Sequence, residues 1–420
     1  MATRRWKGGA TPVAQVNTIT VGGTAVAGQT YTVTINGRTV TYTALTGDAN
    51  ADIAAGLRTA LAASTMPEFL EVTWSVATAV VSGTATTPGK PFVNTSSASG
   101  TGSLTTATAT ASSGPNYWSV AANWKEASVP VSSDDVILDE GPSILYGVDQ
   151  SAVTLTSLRI GQGFGSNSAI GLPPNSNMNN PEDGYPEYRS QFLAISATTV
   201  TIDTPSRRMR LALGTNAATV TVHDTGDPLT SREPALEITG THASNLLRVN
   251  KGNVGVAIQA ADTSTFSEIE VSFRSVVNGD ATVRLGSGLT LTTLNQSGGT
   301  IQLDGGVTTI TRTGGTLTRV GTGTITTLNN RGGQFFDDGT GTITTLNQSA
   351  EYYRRGLASL TVTNSTLYSG SITMDANGTI TWTNAVNLSV CHPAGPPSDP
   401  GPRPAYFQFG YHRKITVADI

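Results

Sequence analysis

Leu291-Thr-Thr-Leu294 returns as Val307-Thr-Thr-Ile310, Ile325-Thr-Thr-Leu328, Ile343-Thr-Thr-Leu346 and, more loosely, Leu360-Thr-Val362-Thr363. The copies start 16, 18, 18 and 17 residues apart. Three carry a glycine pair seven residues after the anchor, at Gly298-Gly299, Gly314-Gly315 and Gly332-Gly333. A fixed period just under 20 residues, rich in β-branched residues and punctuated by Gly, is the signature of a stacked β architecture. It predicts a parallel β-helix (β-solenoid) of about 16–20 residues per coil. Such a fold is an extended, stiff surface before it is a chemistry.

Working outward, weaker rungs precede the clear ones: Val153–Leu158, Val200–Ile202, Val220–Val222, Leu236–Ile238, Ile269–Val271 and Val283–Leu285. Their wider spacing leaves room for loops, the largest running from Leu172 to Arg189. The solenoid is therefore placed over residues 116–392. Asn116-Tyr-Trp-Ser-Val-Ala-Ala-Asn-Trp124 opens it, with Trp118 and Trp124 spaced to plug its first coil. Residues 393–420 hold a Pro-rich run that cannot continue a ladder, since Pro lacks the N–H donor, and an aromatic tail.

Upstream the pattern changes. Residues 1–13 read as a short basic arm, and 14–93 as a small α+β domain. In that domain Val16–Val21 and Gln29–Ile35 alternate apolar and polar residues, and Asn36-Gly37 turns the chain into Arg38–Thr43. Asp48 or Asn50 is placed to cap a helix over Ala51–Ala63 whose stripe is Ile53, Leu57 and Leu61. Strands follow at Glu71–Trp74 and Thr78–Ser82. Residues 94–115, almost wholly Thr, Ser, Ala and Gly, read as a linker or an extended edge. The fold class is mainly β.

Composition agrees. About one residue in six is Thr, 46 are Gly, and only 13% are charged, which favours extended backbone between tight turns. A net charge of −4 supplies no global basic field, so nucleic acid is not an expected partner. A lone Cys391 excludes an intrachain disulfide framework. No apolar run reaches transmembrane length, and residues 1–20 lack the apolar core of a signal peptide, so membrane insertion is not expected.

Chemistry is sparse. A hydrolytic solenoid needs paired carboxylates in a groove, and the candidates are Asp337-Asp338, Asp304, Asp134-Asp135 and Glu182-Asp183. Adjacent strand residues point to opposite faces, so neither Asp pair forms a dyad by adjacency. His223, His242, His392 and His412 lack metal-ligand spacing, no nucleotide or calcium motif occurs, and no cofactor is expected. Arg207-Arg208 with Arg210 reads as a solvated rim, with anion or glycan binding as the alternative. Two stretches stand out as contact candidates: Arg4, Arg5, Trp6 and Lys7 in the arm, and Tyr352, Tyr353, Arg354 and Arg355, where the fourth copy departs from the glycine-pair turn and a local cap or inter-coil packing is the alternative.

The stretch Val16-Asn-Thr-Ile-Thr-Val-Gly-Gly-Thr…Tyr31-Thr-Val-Thr-Ile-Asn-Gly-Arg-Thr-Val-Thr-Tyr42, with the helix around Ile53-Ala-Ala-Gly-Leu57, resembles small β-rich modules of tailed-phage virion proteins. Asn116–Trp124 with Val129-Pro-Val131 and Asp134-Asp-Val136 is similar to the entry of β-helical phage structural proteins. The resemblance implies a non-enzymatic virion protein, assembled in the host cytoplasm, that decorates the capsid or builds a tail. Its expected partners are a major capsid or tail protein and further copies of itself, with a trimer favoured. A receptor-binding fibre that contacts a host-surface glycan, and a glycan-depolymerising spike, are the alternatives.

Overall fold

A computed structural model describes residues 2–165, 167–172, 189, 191–227, 233–272, 281–356, 358–375 and 379–388. The loop at 173–188, the Pro-rich run, the C-terminal tail, Glu182-Asp183, Cys391, His392 and His412 lie outside them. The described residues are mostly β, with 53% in strands and 6% in helix. It divides into two compact units, residues 7–129 with 144–147, and residues 1–6 with 130–143 and 148–420.

In the first unit, Val72–Ala77, Val80–Ala85, Val16–Gly23 and Gly102–Thr110 form a four-stranded antiparallel sheet in that order. Arg38–Thr43, Thr30–Ile35 and Asn94–Ala98 form a second, three-stranded sheet. The hairpin at Asn36-Gly37 has both residues at positive φ, as the right-handed strand twist requires of a two-residue loop. The helix Asn50–Ala62 buries Ile53, Ala54, Leu57 and Leu61. Its N-cap is Ala49, not Asp48 or Asn50. Asp52 reaches back to the Ala49 N–H at 3.0 Å, while Asp48 accepts from the Leu45 N–H and the Tyr42 hydroxyl.

The Thr/Ser-rich stretch read as linker or edge carries two edge strands. Asn94–Ala98 pairs with Thr30–Ile35, and Gly102–Thr110 runs antiparallel to Val16–Gly23. Thr-rich segments suit an edge because their hydroxyls satisfy neighbours while their outer side faces water. Trp118 and Trp124, read as a solenoid plug, belong to this unit. Both are fully buried, 4.8 Å apart and edge-to-face, and the Trp124 indole donates to the Trp118 carbonyl.

The second unit is a parallel β-helix. Among the described residues the regular coils each contribute two strands, which pair in parallel with their counterparts one coil on. One ladder climbs through Leu289–Gln296, Gly306–Arg312, Ile325–Asn330, Ile343–Gln348 and Ser359–Leu367. The other climbs through Thr300–Leu303, Thr316–Arg319, Gln334–Asp337, Glu351–Arg354 and Ser371–Met374.

The Thr-Thr pair marks a corner. In a straight strand positions i and i+3 face opposite ways, yet Leu291 and Leu294 are both buried, as are Val307 and Ile310. The pairing skips Thr292 and Thr308 between them. A bend there turns both apolar residues inward and leaves Thr outside. The fifth copy sits in a different register from its sequence anchor: Ile343 pairs with Val362, not Leu360, and Leu360 aligns with Ile380 in the next coil. Earlier coils are longer, with 27 residues from Val222 to its partner Val249, because loops interrupt them.

The basic arm is part of this unit. Thr3–Arg5 pairs in parallel with Asp135–Leu138, which pairs on its other side with Asp149–Ile160. A three-residue charged strand is a common way to end a sheet without leaving a sticky edge.

Candidate functional site

The two ladders end at inward positions, and in the three coils that hold Arg312, Asn330 and Gln348 polar residues occupy both. At the end of the first ladder Gln296, Arg312, Asn330 and Gln348 stand in register on successive coils. All are nearly or fully buried. Arg312 donates to Gln296 Oε1 (2.8 Å), Asn330 Oδ1 (2.8 Å) and the carbonyls of Gly315 (3.0 Å) and Gln334 (2.7 Å). Asn330 passes the chain on to Gln348 Oε1 at 3.0 Å. These acceptors are all neutral, and burial lowers the Arg312 pKa to about 10.

At the end of the second ladder stand Leu303, Arg319, Asp337, Arg354 and Met374. Asp337 is the centre. Its two oxygens accept from Arg319 Nε (2.8 Å) and Nη2 (2.9 Å), a bidentate fork. Arg354 Nη1 reaches Oδ1 at 3.2 Å, and the Tyr352 hydroxyl donates to Oδ2 at 2.6 Å. Arg319 also donates to the Gly341 carbonyl, and Arg354 to those of Asp337 and Gly339. All four side chains have no exposed surface. Burial, with the Asp337 carboxylate, pushes the Tyr352 phenol well above its usual pKa, so it remains a donor at any ordinary pH.

These ladders set register. Leu, Val and Ile repeat with so little variation that one coil could pair with the wrong neighbour at small cost. A guanidinium opposite another guanidinium would be heavily penalised, whereas Arg319, Asp337 and Arg354 match only in this order.

The contact candidates at Tyr352–Arg355 therefore need correction. They form the strand Glu351–Arg354 and its exit, not a turn. The glycine pair's place is taken by Ser349-Ala350, because Glu351 aligns with Gln334. Tyr352 and Arg354 point into the core, so neither is an accessible anchor. Tyr353 and Arg355 lie outside. Tyr353 stacks on Phe336 with centroids 5.0 Å apart, and the Arg355 guanidinium lies 4.3 Å from the Phe336 ring centre while pairing with Asp338 at 2.8 Å. Glu351 accepts from the Tyr353 hydroxyl (2.9 Å) and Gln334 (3.2 Å).

In the arm, Trp6 is fully buried and its indole donates to the Pro142 carbonyl at 2.9 Å, so it anchors the solenoid's first rung from inside. Arg5 and Lys7 are exposed. Arg4 pairs with Asp134 at 3.0 Å. Burial alone would raise the Asp134 pKa. The Arg4 hydrogen bond and charge, with the N–H groups of Ala2 and Val131, outweigh burial and lower it below 3.8. A lowered carboxylate pKa contributes stability at neutral pH that is lost as pH falls through the folded value. Protection factors of the Ala2–Arg5 amides should hold at neutral and mildly acidic pH and drop once the pH falls below the ordinary carboxylate range. An Asp134→Asn variant should show the reduced protection already at pH 7. Unchanged protection across the whole range would remove this account.

Asp337 is sealed in the core and Asp338 faces outward against Arg355, so the pair is no dyad. Arg210, read as part of a solvated rim, is 4% exposed and bonds Glu237 at 2.7 Å and the Leu172 carbonyl at 2.7 Å, with Phe192 beneath its guanidinium at 3.9 Å. Burial raises the Glu237 pKa against the pull of Arg210. Among the described residues no three His, Cys, Asp or Glu side chains gather as a metal site, and no helix is long and apolar enough to cross a membrane. No protein-family model matches the chain, and no curated protein matches it.

Proposed function

We propose that the chain is a non-enzymatic structural component of a tailed-phage particle, decorating the capsid as a homo-oligomer, with its solenoid as a rigid exposed element. The observation that carries this reading is the Arg319–Asp337–Arg354 core. There the Asp337 carboxylate, a sequence candidate for glycan cleavage, is sealed away from substrate, and its hydrogen bonds hold three coils in register. Side chains committed to stiffness suit a protein that must persist on a particle surface. The phage assignment itself draws on the resemblance of Val16–Tyr42 and Asn116–Val136 to virion modules.

Particles from the producing host, sheared to separate heads from tails and probed with an antibody to this chain, test it. The expected result is signal on heads, with clustered copies in a particle density map. Signal on tails alone would remove the capsid assignment, and absence from both would remove the virion reading. The outward Phe336–Tyr353–Arg355 cluster, its two rings half-buried and its Arg exposed, favours a second reading, attachment to a host-surface glycan, since outward aromatic and Arg side chains are common interface anchors.

A further inference from the structure

One lateral face of the solenoid carries a polar cavity several coils before the aromatic pair. The strands Gly252–Val256, Ala281–Leu285 and Thr300–Leu303 are consecutive rungs there. Val254, Val283 and Ile301 face the core, so the alternate residues face out. Asn253, Thr282 and Thr300 form one outward column, and Gly255, Arg284 and Gln302 the next. Gly255 has no side chain, and a Cβ there would stand 2.7 Å from the Pro234 ring. The Glu233-Pro234 segment thus lies against the missing corner of the grid, and Glu233 becomes a wall. The resulting cavity measures about 270 Å³.

We propose that this cavity seats a ring of a neutral oligosaccharide that runs along the solenoid face. Glu233 can only accept hydrogen bonds when ionised, Arg284 can only donate, and Asn253, Gln302, Thr282 and Thr300 can do both. That mixture complements a ligand whose hydroxyls donate and accept at neighbouring positions. A carboxylate beside a guanidinium disfavours a simple anion or cation. Asn253 Oδ1 is shielded from solvent and accepts no hydrogen bond among the described residues, so a turn of its amide toward the cavity would let it accept from a hydroxyl of the occupant. The volume lies just under the roughly 300 Å³ where pockets for drug-sized ligands begin, which suits one small polar unit.

The neighbouring rungs give the direction. Gln302 is followed in its outward column by Thr318, Phe336 and Tyr353. Parallel rungs lie about 4.8 Å apart, so the aromatic pair begins about 10 Å beyond Gln302. A chain seated in the cavity reaches it within a few sugar units. This deepens the second reading above, and names a seat that the aromatic pair alone does not.

Affinity electrophoresis and calorimetry of the intact protein with maltohexaose, cellohexaose and chitohexaose test the proposal. At least one should bind, and Thr282→Trp, which fills the cavity from an exposed position, should weaken it at least about tenfold with the melting temperature unchanged. Gln302→Ala should weaken it less and provides a milder variant. No binding to any of the three overturns the proposal, as does binding that only an anionic polymer such as heparin shows. Binding lost in Tyr353→Ala but untouched in Thr282→Trp and Gln302→Ala overturns the cavity seat while leaving the aromatic attachment reading in place.

Discussion

Asp337→Asn should cost the solenoid about 3–5 kcal/mol, because it strips the carboxylate that pairs with the fully buried guanidinium groups of Arg319 and Arg354. The shape of the side chain is kept, so the loss reports charge rather than a cavity. Tyr352→Phe removes one hydrogen bond to the same carboxylate and should cost about 1.5–3 kcal/mol. Combining Arg319→Met, Asp337→Leu and Arg354→Met removes all three charges at once and should recover part of the stability, since a buried ion cluster seldom outperforms packed apolar groups, while the Tyr352 hydroxyl and the Gly339 and Gly341 carbonyls lose their partners. Urea denaturation of the four proteins measures this. A loss below about 1 kcal/mol in Asp337→Asn would show that the charges are hydrated or compensated in a way the geometry does not contain. The triple variant carries the sharper test of the register argument. If the cluster selects which coil pairs with which, its removal should leave the solenoid more stable than Asp337→Asn does while refolding becomes slower or heterogeneous, with off-register species visible by hydrogen exchange.

This core was only partly legible in the sequence. The Thr-Thr anchors disclosed the solenoid, because a corner needs apolar residues at i and i+3 with small β-branched residues between. Corners repeat more faithfully than anything else in the coil. The second strand of each coil has no such constraint: Ile301, Leu317, Phe335 and Tyr352 share only an inward direction. It was visible at Leu236–Ile238 and Val283–Leu285, but as members of a single series. Arg354 and Asp337 looked like surface residues, since charged side chains are seldom fully buried without partners and the partners lie on other coils. The signal that could have found them is the 17- to 18-residue spacing of Arg319, Asp337 and Arg354, which is the coil period itself. A charge alternating in sign at the repeat length is a ladder. In the arm, Trp6 concealed its role in the same way, because a three-residue strand has too few positions to show alternation.

The glycine pairs allow the second large effect to be predicted. Gly333 has φ +71°, and a Cβ built on it would stand 2.2 Å from the Gly315 carbonyl oxygen, whose place one rung away is fixed by its hydrogen bond from the Gln334 N–H at 3.0 Å. Gly333→Ala therefore suffers twice. The left-handed conformation costs roughly 1–2 kcal/mol for a residue with a Cβ, and displacing a ladder carbonyl adds the overpacking penalty of about 1–3 kcal/mol. A loss of about 2–5 kcal/mol is expected, with amide protection falling first around Gln334–Asp337. Gly37→Ala is the control: φ is +74°, but nothing lies within 4 Å of the added carbon, so only the conformational part should be lost. Equal losses in the two variants, each read from its own unit's transition, would show that the rungs yield to the extra methyl and that close stacking is not what fixes glycine there. The fourth copy already indicates the alternative solution. With one residue fewer between rungs, Ala350 occupies the equivalent place without positive φ, so the glycine requirement belongs to the length of the turn and not to the repeat as such.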